Sequence, residues 1–163
     1  MSRFSGRKRV VVTHVSPQVE QGLYPAKAAI GEPCIIAADI FCDGHDQIAA
    51  SVLIKYEQDK NWLEYPMRFT ENDHWIYDFI PDRTGKYSFQ IQAWIDHFQS
   101  WKVSLFKKWE AGQDVHVDLQ AGAILLNDVA KRQKGKTREL ILAAAESCAA
   151  EIGQTAMRDI LES

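Results

Sequence analysis

The stretch Asp82-Arg83-Thr84-Gly85-Lys86-Tyr87-Ser88-Phe89-Gln90-Ile91-Gln92-Ala93-Trp94-Ile95-Asp96 decides the fold class. From Tyr87 to Ile95 every second residue is apolar, the period of a strand with one buried face: Tyr87, Phe89, Ile91, Ala93 and Ile95 on one side, Gln90, Gln92 and Trp94 on the other. The six residues from Asp82 have the spacing of a tyrosine corner, in which the phenol of Tyr87 bonds back to the backbone near Asp82 across a turn made by Gly85. That device belongs to sandwiches of two antiparallel sheets.

Working outward, the same alternation recurs upstream. Cys34 to Cys42 places Cys34, Ile36, Ala38, Ile40 and Cys42 on one face, and Ile48 to Tyr56 does so with Ile48, Ala50, Val52, Ile54 and Tyr56. Asp43-Gly44-His45-Asp46 separates the two with turn residues. Val10 to Val15 is a β-branched first strand. Trp62 to Phe69 reads as one strand, with Pro66 marking it as an edge, and Trp75, Tyr77 and Phe79 alternate against His74, Ile76 and Asp78. Six or seven short strands with turns about every ten residues predict an immunoglobulin-like β-sandwich rather than a parallel sheet.

Downstream of Asp96 the period changes from 2 to 3.6. Phe98, Trp101, Leu105 and Trp109 form one helical stripe, which Ala111-Gly112-Gln113 ends. Asp114 is the expected cap of a second helix with the stripe Leu119, Gly122, Ala123, Leu126 and Ala130. Lys131 to Lys136 is a basic linker. Thr137 is the expected cap of a third helix carrying Leu140, Ile141, Ala144, Cys148 and Ile152, which Gly153 breaks before a last turn or two ending at Leu161. The fold class is therefore mainly β, a sandwich followed by an α-helical segment. The expected organisation is a flexible tail over 1–9, a sandwich domain over 10–97 and a helical segment over 98–163, an incomplete bundle cut short at Ser163.

Composition narrows the function. With 46% hydrophobic and 25% charged residues the chain of 163 residues is globular, and at this size about 70% of the unfolded surface can be buried without metal or disulfide. A net charge of −3 disfavours a nucleic-acid surface. The basic run Arg7-Lys8-Arg9 reads as a solvated tail. Cys34 and Cys42, eight residues apart on one strand, are about 26 Å apart and cannot pair. With Cys148 they read as thiols in a reducing cytoplasm. No signal peptide and no run of eighteen apolar residues is present, so neither nucleic acid nor membrane is an expected partner.

Catalytic chemistry finds no seat. His14, His45, His74, His97 and His116 lack the spacing of a metal site, and Asp43-Gly44-His45-Asp46 lacks the glutamate of a calcium loop and reads as a turn. There is no nucleophile elbow, P-loop or dinucleotide fingerprint, and no facing pair of carboxylates is singled out for glycoside chemistry. No catalytic residue, cofactor or metal is expected. The residues nominated are Tyr87, Asp82 and Gly85 for the corner. Trp94 and Trp62 are nominated for stacking against the rings of an α-glucan, since sugar CH groups pack on indole faces; core filling is the alternative for all five tryptophans.

Several segments, taken together, resemble a known family: Gly22-Leu23-Tyr24-Pro25-Ala26-Lys27 with Gly31-Glu32, Ala38-Asp39-Ile40-Phe41-Cys42-Asp43-Gly44-His45-Asp46, Pro66-Met67, Asn72-Asp73-His74-Trp75, Gly85-Lys86-Tyr87, Ala93-Trp94-Ile95-Asp96 with Phe98 and Trp101, and Ala111-Gly112-Gln113-Asp114-Val115. In this order they are similar to the N-terminal region of the bacterial α-1,4-glucan:maltose-1-phosphate maltosyltransferases, of the α-amylase superfamily. The resemblance is dense from about Val10 to Leu126. It implies a sandwich interrupted by a helical insert, then a catalytic barrel holding the aspartate nucleophile and glutamate acid/base. On that footing the chain stops before the strand that closes the sandwich and before the catalytic residues, none of which can be placed on it. The implied role is a non-catalytic domain of a maltosyltransferase that supports the barrel of the same chain and the homodimer. Two other readings stay open, a carbohydrate-binding module for α-glucan and a stand-alone protein-interaction domain.

Overall fold

The computed structural model describes residues 10–150, which divide between Asp96 and His97 into two compact units. The tail over 1–9 and everything expected beyond Ala150, including Ile152, Gly153 and the last helical turns, lie outside the described residues.

The first unit is built from seven strands: β1 (Val10–Ser16), β2 (Cys34–Cys42), β3 (Ile48–Tyr56), β4 (Leu63–Pro66), β5 (Arg68–Phe69), β6 (His74–Phe79) and β7 (Tyr87–Ile95). They form two antiparallel sheets, one in the order β1-β2-β6-β5 and the other β4-β3-β7. The inward faces meet in a single core. Ile36, Ala38 and Ile40 of β2 lie against Ala50, Val52 and Ile54 of β3, with Tyr77 and Phe79 of β6 and Phe89 and Ile91 of β7 packed around them. Ile40 and Val52 are almost completely enclosed, and burial of such a side chain is worth roughly 1.5–3 kcal/mol.

The single strand expected over Trp62 to Phe69 is in fact two. β4 pairs with β3 in one sheet, and β5 pairs with β6 in the other. Between them Met67 turns inward, 6% exposed, and its N–H donates to the Ala50 carbonyl at 2.9 Å. Pro66, with no N–H to give, sits at the end of β4 on the sheet edge, where a ladder bond is not required. The chain steps from one sheet to the other at that point.

The second unit holds α1 (His97–Glu110), α2 (His116–Ala130) and α3 (Gly135–Ala149). Leu105, Leu119, Ala123, Leu126, Ala145 and Cys148 make its core, flanked by Phe98, Trp101 and Trp109. α1 ends in a Schellman motif: Gln113 N–H reaches the Lys108 carbonyl at 3.0 Å and Gly112 N–H the Trp109 carbonyl at 2.9 Å, with Gly112 at φ +68°. The N-cap of α2 is Val115 rather than Asp114, which lies one residue earlier with its carboxylate accepting the His116 N–H at 3.0 Å. Thr137 caps nothing, because α3 begins two residues earlier at Gly135. Leu140 is 63% exposed, so the buried stripe of α3 runs through Ile141, Ala144, Ala145 and Cys148 instead. A strict reading of the i, i+4 period placed Leu140 one position too far round the helix.

Candidate functional site

The corner at the start of β7 is built differently from the expectation. The Tyr87 hydroxyl donates to the Asp82 carboxylate, a side chain and not the backbone, and this short bond holds the Asp82 carboxyl below its usual range. The phenol that reaches the backbone is that of Tyr56 at the end of β3, which donates to the Thr84 carbonyl at 2.9 Å. Tyr56 and Tyr87 face each other across the last pair of the β3–β7 ladder, ring centroids 5.1 Å apart. Gly85 lies close above: a Cβ there would sit 2.6 Å from the Tyr56 ring and hydroxyl, and its φ of +143° is left to glycine. Arg83 caps the group, its guanidinium carbon 4.1 Å from the Tyr56 ring centroid, with both terminal nitrogens on Asp59 at 3.0 and 3.4 Å. Two tyrosines on paired strands thus lock the crossover from both sides. The missed partner, Tyr56, could have been found from the β3–β7 register, which sets it opposite Tyr87.

Trp94 and Trp62 are both surface residues, 44% and 37% exposed, but the fold does not bring them together. Trp94 on β7 stands opposite Ala49, whereas Trp62 immediately precedes Leu63, which stands opposite Ile54. Five strand positions separate those levels, about 17 Å. Trp94 lines a shallow, apolar groove of ≈ 460 Å³ beside Trp75, Met67 and the buried Ser51, whose hydroxyl donates to Glu64 at 2.7 Å.

A polar cluster unforeseen in the sequence lies on the other sheet. The Asp39 carboxylate on β2 is bracketed by His14 of β1 and His74 of β6, each Nδ1 2.8 Å from one of its oxygens. The hydrogen bond with His74 is the largest influence on the Asp39 carboxyl and lowers its pKa; His14 adds to this, against an opposing push from desolvation. A bulge in β1 between Thr13 and Ser16, with His14 at φ +47°, aims the first histidine. Among the described residues no group of three or more His, Cys, Asp or Glu side chains is arranged to hold a metal ion. The cluster is a cross-strand clamp. In the turn after β2, Gly44 takes φ +89° and the Cys42 thiol points at the Asp46 carbonyl at 3.7 Å. All three cysteines are free thiols, Cys34 and Cys42 at opposite ends of β2, and no helix among the described residues is long and apolar enough to cross a membrane.

Comparison with known proteins supplies the setting for this scaffold. Residues 8–162 match the family model described as alpha-1,4-glucan:maltose-1-phosphate maltosyltransferase, domain N/S. Among curated proteins, the maltosyltransferase of that name from Chlorobaculum tepidum is 39% identical over 131 residues, covering 80% of this chain and 20% of the relative. The Myxococcus xanthus protein is 37% identical over 129 residues, 77% of this chain and 19% of the relative. The Mycobacterium tuberculosis protein is 30% identical over 164 residues, 84% and 23%. The chain thus spans about a fifth of the length of these relatives. With nearly its whole length matched, the chain belongs to the domain N/S family of the α-1,4-glucan:maltose-1-phosphate maltosyltransferases.

Proposed function

We propose that the chain serves as a non-catalytic N-terminal region of a cytoplasmic maltosyltransferase that transfers maltosyl units from maltose 1-phosphate to α-1,4-glucan, and that its work is structural: supporting the catalytic barrel and the homodimer. The observation that carries this reading is the match of residues 8–162 to a domain N/S model within relatives five times as long. The free thiols agree with a reducing compartment. The strand order adds to it. β1-β2-β6-β5 and β4-β3-β7 correspond to the A-B-E-D and C′-C-F sheets of an immunoglobulin-type domain, in which a last strand lies beside F. β7 takes the place of F, and we assign its outer edge to a strand of the parent enzyme that follows the helical unit.

A chimera tests this. Replacing the matching region of the Chlorobaculum tepidum enzyme with this chain is expected to give an active maltosyltransferase of the same oligomeric state, while the chain alone transfers no maltosyl units. Transfer by the isolated chain, or a folded chimera without activity, would overturn the reading.

A further inference from the structure

The first unit has a second concavity that the structural role does not use. A cleft of ≈ 380 Å³ opens between β4 and β6 below the Tyr56–Tyr87 corner. Its wall is the stacked pair Tyr65 and Tyr77, centroids 5.2 Å apart and planes 23° apart. Neither phenol hydroxyl has a hydrogen-bond partner among the described residues. Leu63 and Ile80, both more than half exposed, form an apolar lip. The rim is polar and acidic, with Asp59 and Asp82 on Arg83 and with Asp78, which reaches Arg68 at 3.7 Å.

We propose that this cleft is a site for a neutral sugar ring, and specifically for a segment of an α-1,4-glucan chain; the identity of the sugar rests on the function proposed above. A pyranose has apolar CH faces and a hydroxylated edge, which is the combination that the lip, the aromatic wall and the rim present. Each rim carboxylate keeps acceptor lone pairs beyond its bonds to Arg83, so sugar hydroxyls can donate to Asp59 and Asp82 while the unpartnered phenols of Tyr65 and Tyr77 supply donors in return. Charge decides against the phosphorylated donor. Asp59 takes both terminal nitrogens of Arg83, Asp82 lies 3.3 Å from its Nε, and Asp78 pairs with Arg68 at 3.7 Å, so both cations are engaged and the rim keeps a net negative charge toward an incoming anion. A neutral polymer meets no such field. The site thereby holds the polymer and rejects maltose 1-phosphate.

The test is an NMR titration of the 163-residue chain with maltoheptaose. Saturable shifts are expected at the amides of Leu63, Tyr65, Tyr77 and Arg83, with a dissociation constant on the order of 1–10 mM. Tyr65→Phe and Tyr77→Phe remove only a hydroxyl each and keep the stacked wall, so both should fold and should weaken binding by about fivefold. Maltose 1-phosphate should bind more weakly than maltoheptaose. The proposal is overturned by an absence of saturable shifts up to about 20 mM, by shifts centred on Ala49, Ser51 and Trp94, by unchanged affinity in the double Phe variant, or by equal affinity for maltose 1-phosphate. An active chimera with no oligosaccharide binding removes the cleft alone; binding together with an inactive chimera removes the maltosyltransferase reading alone.

Discussion

Substituting Gly122 by alanine pits two well-defined effects against each other. Gly122 is buried in the interior of α2, where glycine is a poor helix former, and replacement by alanine in an exposed helix gains about 1 kcal/mol. Here the new methyl would overlap Cζ2 of Trp101 and fall 2.5 Å from Cε2. Neither is a tolerable separation, and a fused ring cannot bend away. The indole is also tethered, its Nε1 donating to the Asp118 carbonyl at 2.7 Å one helical turn before Gly122. Relief requires Trp101 to rotate out or α1 to back off. Overpacking of this kind costs about 1–3 kcal/mol, and loss of the indole hydrogen bond about 1 kcal/mol more. After the helix-propensity gain is deducted, the second unit should lose about 1–3 kcal/mol. In urea, with a slope near 1.5 kcal/mol/M, that is a fall of about 1 M in midpoint. Because the chain holds two units, the change should be read locally, from amide exchange in α2 and the fluorescence of Trp101 and Trp109, rather than from one global transition. Adding Trp101→Phe makes room and should recover part of the loss, although it forfeits the same hydrogen bond. A Gly122→Ala variant stabilised by about 1 kcal/mol would refute the reasoning, as would a double variant no better than the single one.

Three further outcomes follow from the first unit. Gly85→Ala should cost about 2–4 kcal/mol, combining the strained φ with a 2.6 Å approach to Tyr56, and its thermal midpoint should fall well below that of an alanine at the open Gly31. Tyr56→Phe should destabilise by about 1 kcal/mol because the buried Tyr56 loses a part-buried bond to the Thr84 carbonyl; Tyr87→Phe should cost less, since its bond to the exposed Asp82 carboxylate is itself exposed, and equal losses in urea melts would contradict that ordering. The Asp39 carboxyl has a folded pKa below its unfolded one, so its contribution is fully present above the unfolded value near 3.9 and disappears as pH falls through the folded value. Asp39→Asn should therefore flatten the acid limb of a Tm-against-pH curve below about pH 4; parallel curves for the two proteins would show that the histidine clamp adds nothing.

The strands that alternate cleanly were legible in the sequence because a half-buried strand writes its face into every second residue. β2, β3 and β7 start and stop where the pattern does, at Cys34–Cys42, Ile48–Tyr56 and Tyr87–Ile95. The step at Met67 was not legible, since the residues on either side continue an extended pattern and only Pro66 hints at a break. Helix faces were readable to within one position, as Leu140 illustrates. The His14–Asp39–His74 clamp was hidden for a different reason. Its members come from β1, β2 and β6, and only strand order and register place Thr13, beside His14, and His74 opposite Asp39. The tyrosine cleft is hidden in the same way, because Tyr65 and Tyr77 belong to different sheets and meet across the core. Local periodicity carries which face is buried; it does not carry which strands are neighbours.

The short passage from β4 through Met67 to β5 has a mechanical meaning. Two stacked sheets joined only by turns at their ends can shear or part as separate plates. Here one extended segment hydrogen-bonds to β3 on one side of Met67 and to β6 on the other, while the methionine side chain is sunk in the shared core. Neither sheet can slide past the other without pulling that side chain out or tearing a ladder. The seam behaves as a rivet, and it makes the seven strands one cooperative body in which amides of β2 and of β3 open to exchange together.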